Sequence, residues 1–234
     1  VAPNNSNLPN VKKELDFLNQ LDNLGSQISS VLTIDNGLTL KEYIQNNSFS
    51  ILHFACHGMF DRNLPNDSAI QLTNDSLRPS DIKIKFKKVR PLIFINACHG
   101  GRVGFSFTNI GGWAKRFVNA RVGIFIGAMW EVNDELAYQF AETFYTFLLR
   151  DNLSIAESFQ KSRQAIRKLA PYNSTWLAYS LYADPEAKIK LTDSDNLPSL
   201  PTSESLNYRV CHNCQLPNPV DGKFCTQCGS KLIE

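Results

Sequence analysis

The sequence predicts an α/β fold, a mostly parallel sheet flanked by helices, with a small metal-closed unit behind it, and three observations carry that reading. Residues 49–55, 91–97 and 121–129 are short, nearly continuous apolar runs rich in β-branched and aromatic side chains, as strands buried on both faces are. Segments with apolar residues at helical spacing lie before, between and after these runs, and such alternation stacks helices on a sheet whose ligands gather at the carboxyl ends of the strands. Near the C-terminus, after a break in composition, four cysteines stand in two C-x-x-C pairs.

Taken in order, Val1-Ala2-Pro3 reads as the end of a strand entering a loop, the start of a fragment or a processed product. Residues 8–24 place Val11, Leu15, Leu18 and Leu21 on one helical stripe with charges between them. A short strand is predicted over 30–34, a turn at Asn36-Gly37, and a helix over 40–45 capped by Thr39. The three apolar runs follow as strands. Leu136, Phe140, Phe144, Phe147 and Leu148 then mark a helix over 134–149 with Asn133 as its cap, and Ser154 with Glu157 forms a capping-box pattern opening a helix to about residue 169.

With 234 residues and 43% hydrophobic content, the chain can bury one sizeable core and something small beside it. A net charge of +2, from 24 basic and 22 acidic residues, gives no chain-wide field of the kind that dominates nucleic-acid or membrane-surface binding. No apolar run approaches the ~20 residues that span a bilayer and no signal-peptide pattern opens the chain, so a soluble, cytoplasmic protein is expected. Residues 192–207 (TDSDNLPSLPTSESLN) are too poor in large apolar groups to offset their ordering entropy and read as a flexible linker.

Two strand ends carry Cys-His-Gly: ILHFACHG from Ile51 and LIFINACHGG from Leu92. A thiol is a useful nucleophile only as a thiolate, which needs a neighbouring imidazole, and glycine-rich strand tips leave backbone amides open to an oxyanion. Successive strand side chains point to opposite faces, so of Cys56 and His57 one faces a site and the other packs. A metal site made of Cys56, His57, Cys98 and His99 is a competing reading, awkward because adjacent Cys-His pairs fit one tetrahedron badly. His53, among apolar neighbours, reads as a packed histidine, and Trp113, Trp130 and Trp176 as packing aromatics.

The motifs LPNVKKELDFL at Leu8, ILHFACHGMFD at Ile51, LIFINACHGG at Leu92 and VGIFIGAMWEVND at Val122, followed by SIAESFQKSRQAI and STWLAYSLYADP, resemble the CHAT group of caspase-like cysteine peptidases, relatives of the separases. The resemblance implies that residues 1–191 form a caspase-like peptidase domain, its N-terminal part missing, with His57 as catalytic imidazole and Cys98 as nucleophile. It also implies an oxyanion hole from the backbone N–H groups of Gly58 and Cys98. His99 and Gly100 stand where members commonly have a small residue or serine, a departure that leaves the dyad positions in place. Glu131, Asp134 and Glu135 fall at the rim where this fold builds its specificity pocket, and Glu131 and Asp134 there, with Asp61, are the expected substrate-binding acids, favouring a basic residue before the cut. Asp134 also suits a helix N-terminus, and Asp61 a loop-fixing role. Members are usually joined to sensing modules, and some serve bacterial defence, including CRISPR-associated systems.

Cys211, Cys214, Cys225 and Cys228 follow C-x2-C-x10-C-x2-C, the spacing of a zinc ribbon over residues 208–234. Four thiolates close one Zn²⁺ with no open position, so the ion is structural, and such sites supply on the order of 10 kcal/mol to folding units this short. The tail lacks a basic face, which favours protein docking over nucleic acid. The expected activity is that of a regulated endopeptidase acting on a protein substrate, with a sensor or regulatory partner. The rival is an inactive caspase-like scaffold that docks partners through the ribbon.

Overall fold

The computed structural model describes residues 1–3, 9–21, 32–59, 68–73, 75–99, 111–189, 208–211, 213, 217–219, 223–224 and 230–232. It divides into two compact units, Val1–Leu197 and Pro198–Glu234. The linker expected over 192–207 lies outside the described residues. No helix among those described is long and apolar enough to cross a membrane.

The first unit is built on a six-stranded sheet of order β3-β2-β1-β4-β5-β6: β1 Ile51–Met59, β2 Ala69–Gln71, β3 Ser76–Leu77, β4 Leu92–His99, β5 Ile124–Ala128 and β6 Tyr179–Ala183. The three apolar runs of the sequence are β1, β4 and β5, and they pair in parallel at the centre. β2 and β6 run antiparallel to their central neighbours, and β3 reverses again, so four strands point one way and the sheet is mostly parallel. The outer strands are too short or too mixed in composition to show an apolar run. On one face, α1 Pro9–Asn19, α4 Asp134–Tyr145, α5 Ile155–Leu169 and α6 Thr175–Ala178 cover a core centred on Phe94, Phe140, Phe144 and Tyr179. Phe140 and Tyr179 stack at 4.0 Å between centroids. On the other face, α2 Gly37–Asn46 and α3 Gly111–Asn119 pack with Phe54, Phe117 and Phe125.

Alternation along the central strands sorts the faces: Leu92 and Phe94 belong to the first core, Ile93 and Ile95 to the second. Several local expectations shift. The helix expected over 8–24 is described over Pro9–Asn19. The strand expected over 30–34 is absent from its described part, residues 32–34: Ile34 is buried and its carbonyl accepts from the Ala2 N–H at 3.1 Å, so the segment packs without joining the sheet. Val1 does behave as strand-like backbone, its carbonyl accepting from the Ala55 N–H at 2.9 Å.

α2 begins earlier than expected because Asn36 is the cap, its Oδ1 accepting from the Thr39 N–H at 2.9 Å; Thr39 is the third residue inside. Asn133 caps α4 as expected, through Leu136 N–H at 3.1 Å. After Tyr145 the helix widens into one π-helical stretch, Thr146–Arg150, closed by Asp151 N–H to Thr146 C=O at 3.1 Å.

The Ser154 and Glu157 capping box is present: Ser154 Oγ accepts from Glu157 N–H, and Glu157 Oε2 accepts from the Ser154 N–H at 3.1 Å. Hydrogen bonds to Ser154 hold the Glu157 carboxyl below its usual range. Ser154→Ala should lower unfolding free energy by about 1 kcal/mol, the usual worth of such a cap. Urea denaturation read at fixed m-value checks this, since the midpoint should fall with the slope unchanged.

Candidate active site at the ends of β1 and β4

β1 and β4 pair in continuous register from Ile51↔Leu92 to Gly58↔His99, which sets His57 directly across from Cys98. Neighbouring strands lie about 4.8 Å apart, so the two backbones are within reach of a side-chain hydrogen bond. Both strands run further than the apolar runs imply, β1 to Met59 and β4 to His99, so each Cys-His pair sits inside a strand tip. Alternation then decides between neighbours. Cys56 is fully buried in the core with Leu52 and Phe54, while His57 is partly exposed on the opposite face. The sheet itself separates Cys56 from His57, which removes Cys56 from any metal site shared with that imidazole.

Gly58 is held between two neighbours, in register with His99 of β4 and Ile70 of β2. A Cβ there would stand 3.2 Å from the Ala97 Cβ, so glycine lets the two strand tips close together.

Beneath this end of the sheet lies a buried polar chain. Glu14 of α1, 3% exposed, places Oε1 at 2.7 Å from His53 Nε2 and accepts from Asn96 Nδ2 at 2.7 Å. His53 Nδ1 is 3.0 Å from the Tyr145 hydroxyl, and Tyr179 O–H donates to Asn96 Oδ1 at 2.6 Å. Burial and the Glu14 charge push the Tyr145 hydroxyl well above its ordinary pKa, so it stays protonated. One donor order satisfies all four contacts: Tyr145 O–H to His53 Nδ1, His53 Nε2–H to Glu14, Asn96 N–H to Glu14 and Tyr179 O–H to Asn96.

A family model of the CHAT domain matches residues 2–197, ending where the first compact unit ends. The chain belongs to the CHAT family. That family is caspase-like and related to cysteine peptidases, in keeping with the α/β sheet and with a site at its strand tips. A comparison with curated proteins returned no match.

In this CHAT domain β5 runs parallel to β4, so the segment after Ala128 emerges at the same end as residues 57 and 98. Glu131 is exposed there. Asp134 opens α4, and its Oδ2 accepts from the Asn10 N–H at 3.1 Å and Asn10 Nδ2 at 2.7 Å. Its neighbour Glu135 pairs with Lys13 at 2.9 Å, a hydrogen bond that, with one from Gln139, holds the carboxyl below its usual range. Both acids therefore clamp α1 against α4 in addition to sitting at the helix N-terminus. Asp61 lies outside the described residues.

A cleft of about 310 Å³ opens on the other side of His57, lined by Met59, Gln71, Asp75 and Ser76 among others. Asp75, which no sequence pattern singles out, brings a carboxylate to it, held by Ser76 N–H at 2.6 Å and Lys41 at 3.3 Å. Glu14 and Asn96 were also missed as members of the site. Their signal was present: Glu14 falls on the apolar stripe of α1 with Val11, Leu15 and Leu18, and Asn96 interrupts the apolar run of β4.

In the second unit, β7 Tyr208–Val210 pairs with β8 Pro217–Pro219, Val210 opposite Pro217. A further antiparallel bridge joins Phe224 and Lys231. Cys211 is fully buried against Leu232. By chemistry and spacing in the sequence, the two C-x-x-C pairs are a donor set that fits one tetrahedral ion. Cys214, Cys225 and Cys228 lie outside the described residues.

The burial of Cys56 gives a direct check. Iodoacetamide should leave it unmodified in the native protein and label it fully once urea unfolds the chain, as peptide mass spectrometry can follow.

Proposed function

We propose that this CHAT domain is a cysteine endopeptidase with His57 and Cys98 as its dyad. The register pairing of these two positions at adjacent parallel strand tips is the observation that carries the reading. His57 takes the proton from the Cys98 thiol, and the thiolate attacks the peptide carbonyl. We assign the oxyanion to the backbone N–H groups of Gly58 and Cys98, which must leave the β1–β4 pairing to receive it. The imidazolium then protonates the leaving amine, the C–N bond breaks and a thioester remains. Water, deprotonated by His57, hydrolyses the thioester to a carboxylic acid and returns the thiol.

A basic side chain before the scissile bond suits the acids around the site. Glu131 and Asp134 at the β5 end, with Asp61, are the residues we assign to receive it, Asp134 with one oxygen already engaged by Asn10. The substrate is a protein, and a sensing or regulatory partner controls access, in bacterial defence or CRISPR-associated signalling by analogy with the family. Nothing in the chain-wide charge points to nucleic acid.

Cys98→Ala and His57→Ala should each lower cleavage by about 10³-fold or more while the protein keeps its native urea midpoint. Capture of new protein N-termini in cells making wild type or Cys98→Ala reads out both activity and substrate. Identical N-termini in the two samples, with folded protein in each, reject the peptidase reading.

For the tail, we assign one structural Zn²⁺ to Cys211, Cys214, Cys225 and Cys228; when bound, it would crosslink the two C-x-x-C pairs. Metal analysis should find one zinc per chain. A strong chelator should make residues 208–234 protease-sensitive and leave the thermal transition of the first unit in place. A metal-free chain whose tail resists proteolysis contradicts the assignment.

A further inference from the structure

The polar chain of Glu14, His53, Asn96, Tyr145 and Tyr179 draws on five elements, α1, β1, β4, α4 and β6, and none of its side chains is more than 7% exposed. Stability alone explains such a cluster poorly. Taking a carboxylate out of water is costly, and well-packed apolar side chains of similar volume often serve a core as well or better. Buried polar contacts are best attested where they fix a register or an arrangement that apolar packing leaves loose.

Here the arrangement being fixed is local. Glu14 Oε1 is shared between a donor on β1 and a donor on β4, so a single oxygen ties the two strands that carry residues 57 and 98. Asn96 is two residues before Cys98, about 7 Å along the strand, and His53 is four before His57, about 13 Å. Positions 53, 55 and 57 alternate onto one face, and Asn96 and residue 98 share the corresponding alternation on β4. Tyr179 braces Asn96 from the far side, across β5, and Tyr145 braces His53 from α4. Glu14 is delivered by α1, which is pinned at its start by Asn10 to Asp134 and by Lys13 to Glu135.

We propose that Glu14 is a positioning residue: through His53 and Asn96 it aligns the tips of β1 and β4, so that the placement of α1 sets the engagement of His57 with Cys98. The inference rests on the dyad reading above. It extends that reading by making α1 part of the site's machinery, a point where movement of a distant segment would be felt at the thiol without any contact to substrate.

The test reads the thiol itself and needs no substrate. The rate of Cys98 alkylation by iodoacetamide, followed by peptide mass spectrometry in the full-length protein, is measured from pH 5 to 10 for wild type, His57→Ala, Glu14→Gln and Tyr179→Phe. An engaged imidazole gives wild type a midpoint below the ordinary thiol value of about 8.5, and His57→Ala returns it toward that value. Glu14→Gln keeps the shape and loses the charge shared by both strands; it should shift the midpoint in the same direction as His57→Ala. Tyr179→Phe removes one O–H donor, with little risk to folding, and should give a smaller shift of the same sign. Ser154→Ala, destabilised at a residue whose hydrogen bonds go to Glu157 and Ser158 and not to the network, should keep the wild-type profile, which separates alignment from general loss of stability.

If His57→Ala moves the midpoint while Glu14→Gln and Tyr179→Phe, both folded, match wild type, the positioning role is overturned and the dyad stands. If Glu14→Gln does not fold, Tyr179→Phe decides alone. If His57→Ala and wild type titrate alike, the dyad reading itself fails and the positioning role with it.

Discussion

The parallel pairing of β1 with β4 is the constraint on which the rest of this structure depends. Parallel strands have no turn to set their register, so it comes from what each face buries. Leu52, Phe54, Ile93 and Ile95 on one side and Phe94 on the other admit only one alignment without turning apolar groups outward. That alignment brings His57 and Cys98 opposite one another at the strand tips. A slip of one residue would turn Cys56 and His57 to the opposite faces, exchanging the packed and the partly exposed position.

A packed aromatic core lies behind the strands that carry His57 and Cys98. The aromatic cluster around Phe94 fills the space between the sheet and α4, with Phe140 stacked on Tyr179 and Phe144 and Tyr145 alongside. His53 leans on the same ring, 4.8 Å from Phe94. The polar chain around Glu14 therefore sits in a densely packed apolar setting, where hydrogen bonds are strong and an unmet donor is expensive. α1 joins this setting through its polar residues as much as through Val11 and Leu18, unlike α5, which docks mainly through its apolar stripe.

The two units are described to different extents. The first shows two large apolar clusters, one on each face of its sheet. In the second, Cys211 and Leu232 are buried together among the described residues.

The sequence by itself determined the elements whose signals are local: the three central strands through their apolar runs, α4 and α5 through helical spacing and caps, and the Cys-x-x-Cys pairs through their spacing. It also limited Cys56 and His57 to opposite faces, because alternation is a property of any strand. Tertiary structure decided which apolar runs are neighbours, hence that residues 57 and 98 meet. It also showed that Asn36 rather than Thr39 caps α2, that short β2, β3 and antiparallel β6 complete the sheet, and that Asp134 and Glu135 grip α1. Glu14 and Asn96 show the boundary most clearly. Each was visible as a polar residue in an apolar stripe or run, but its partner is 82 positions away in the chain, and only folding brings a lone carboxylate to the donors that make its burial tolerable.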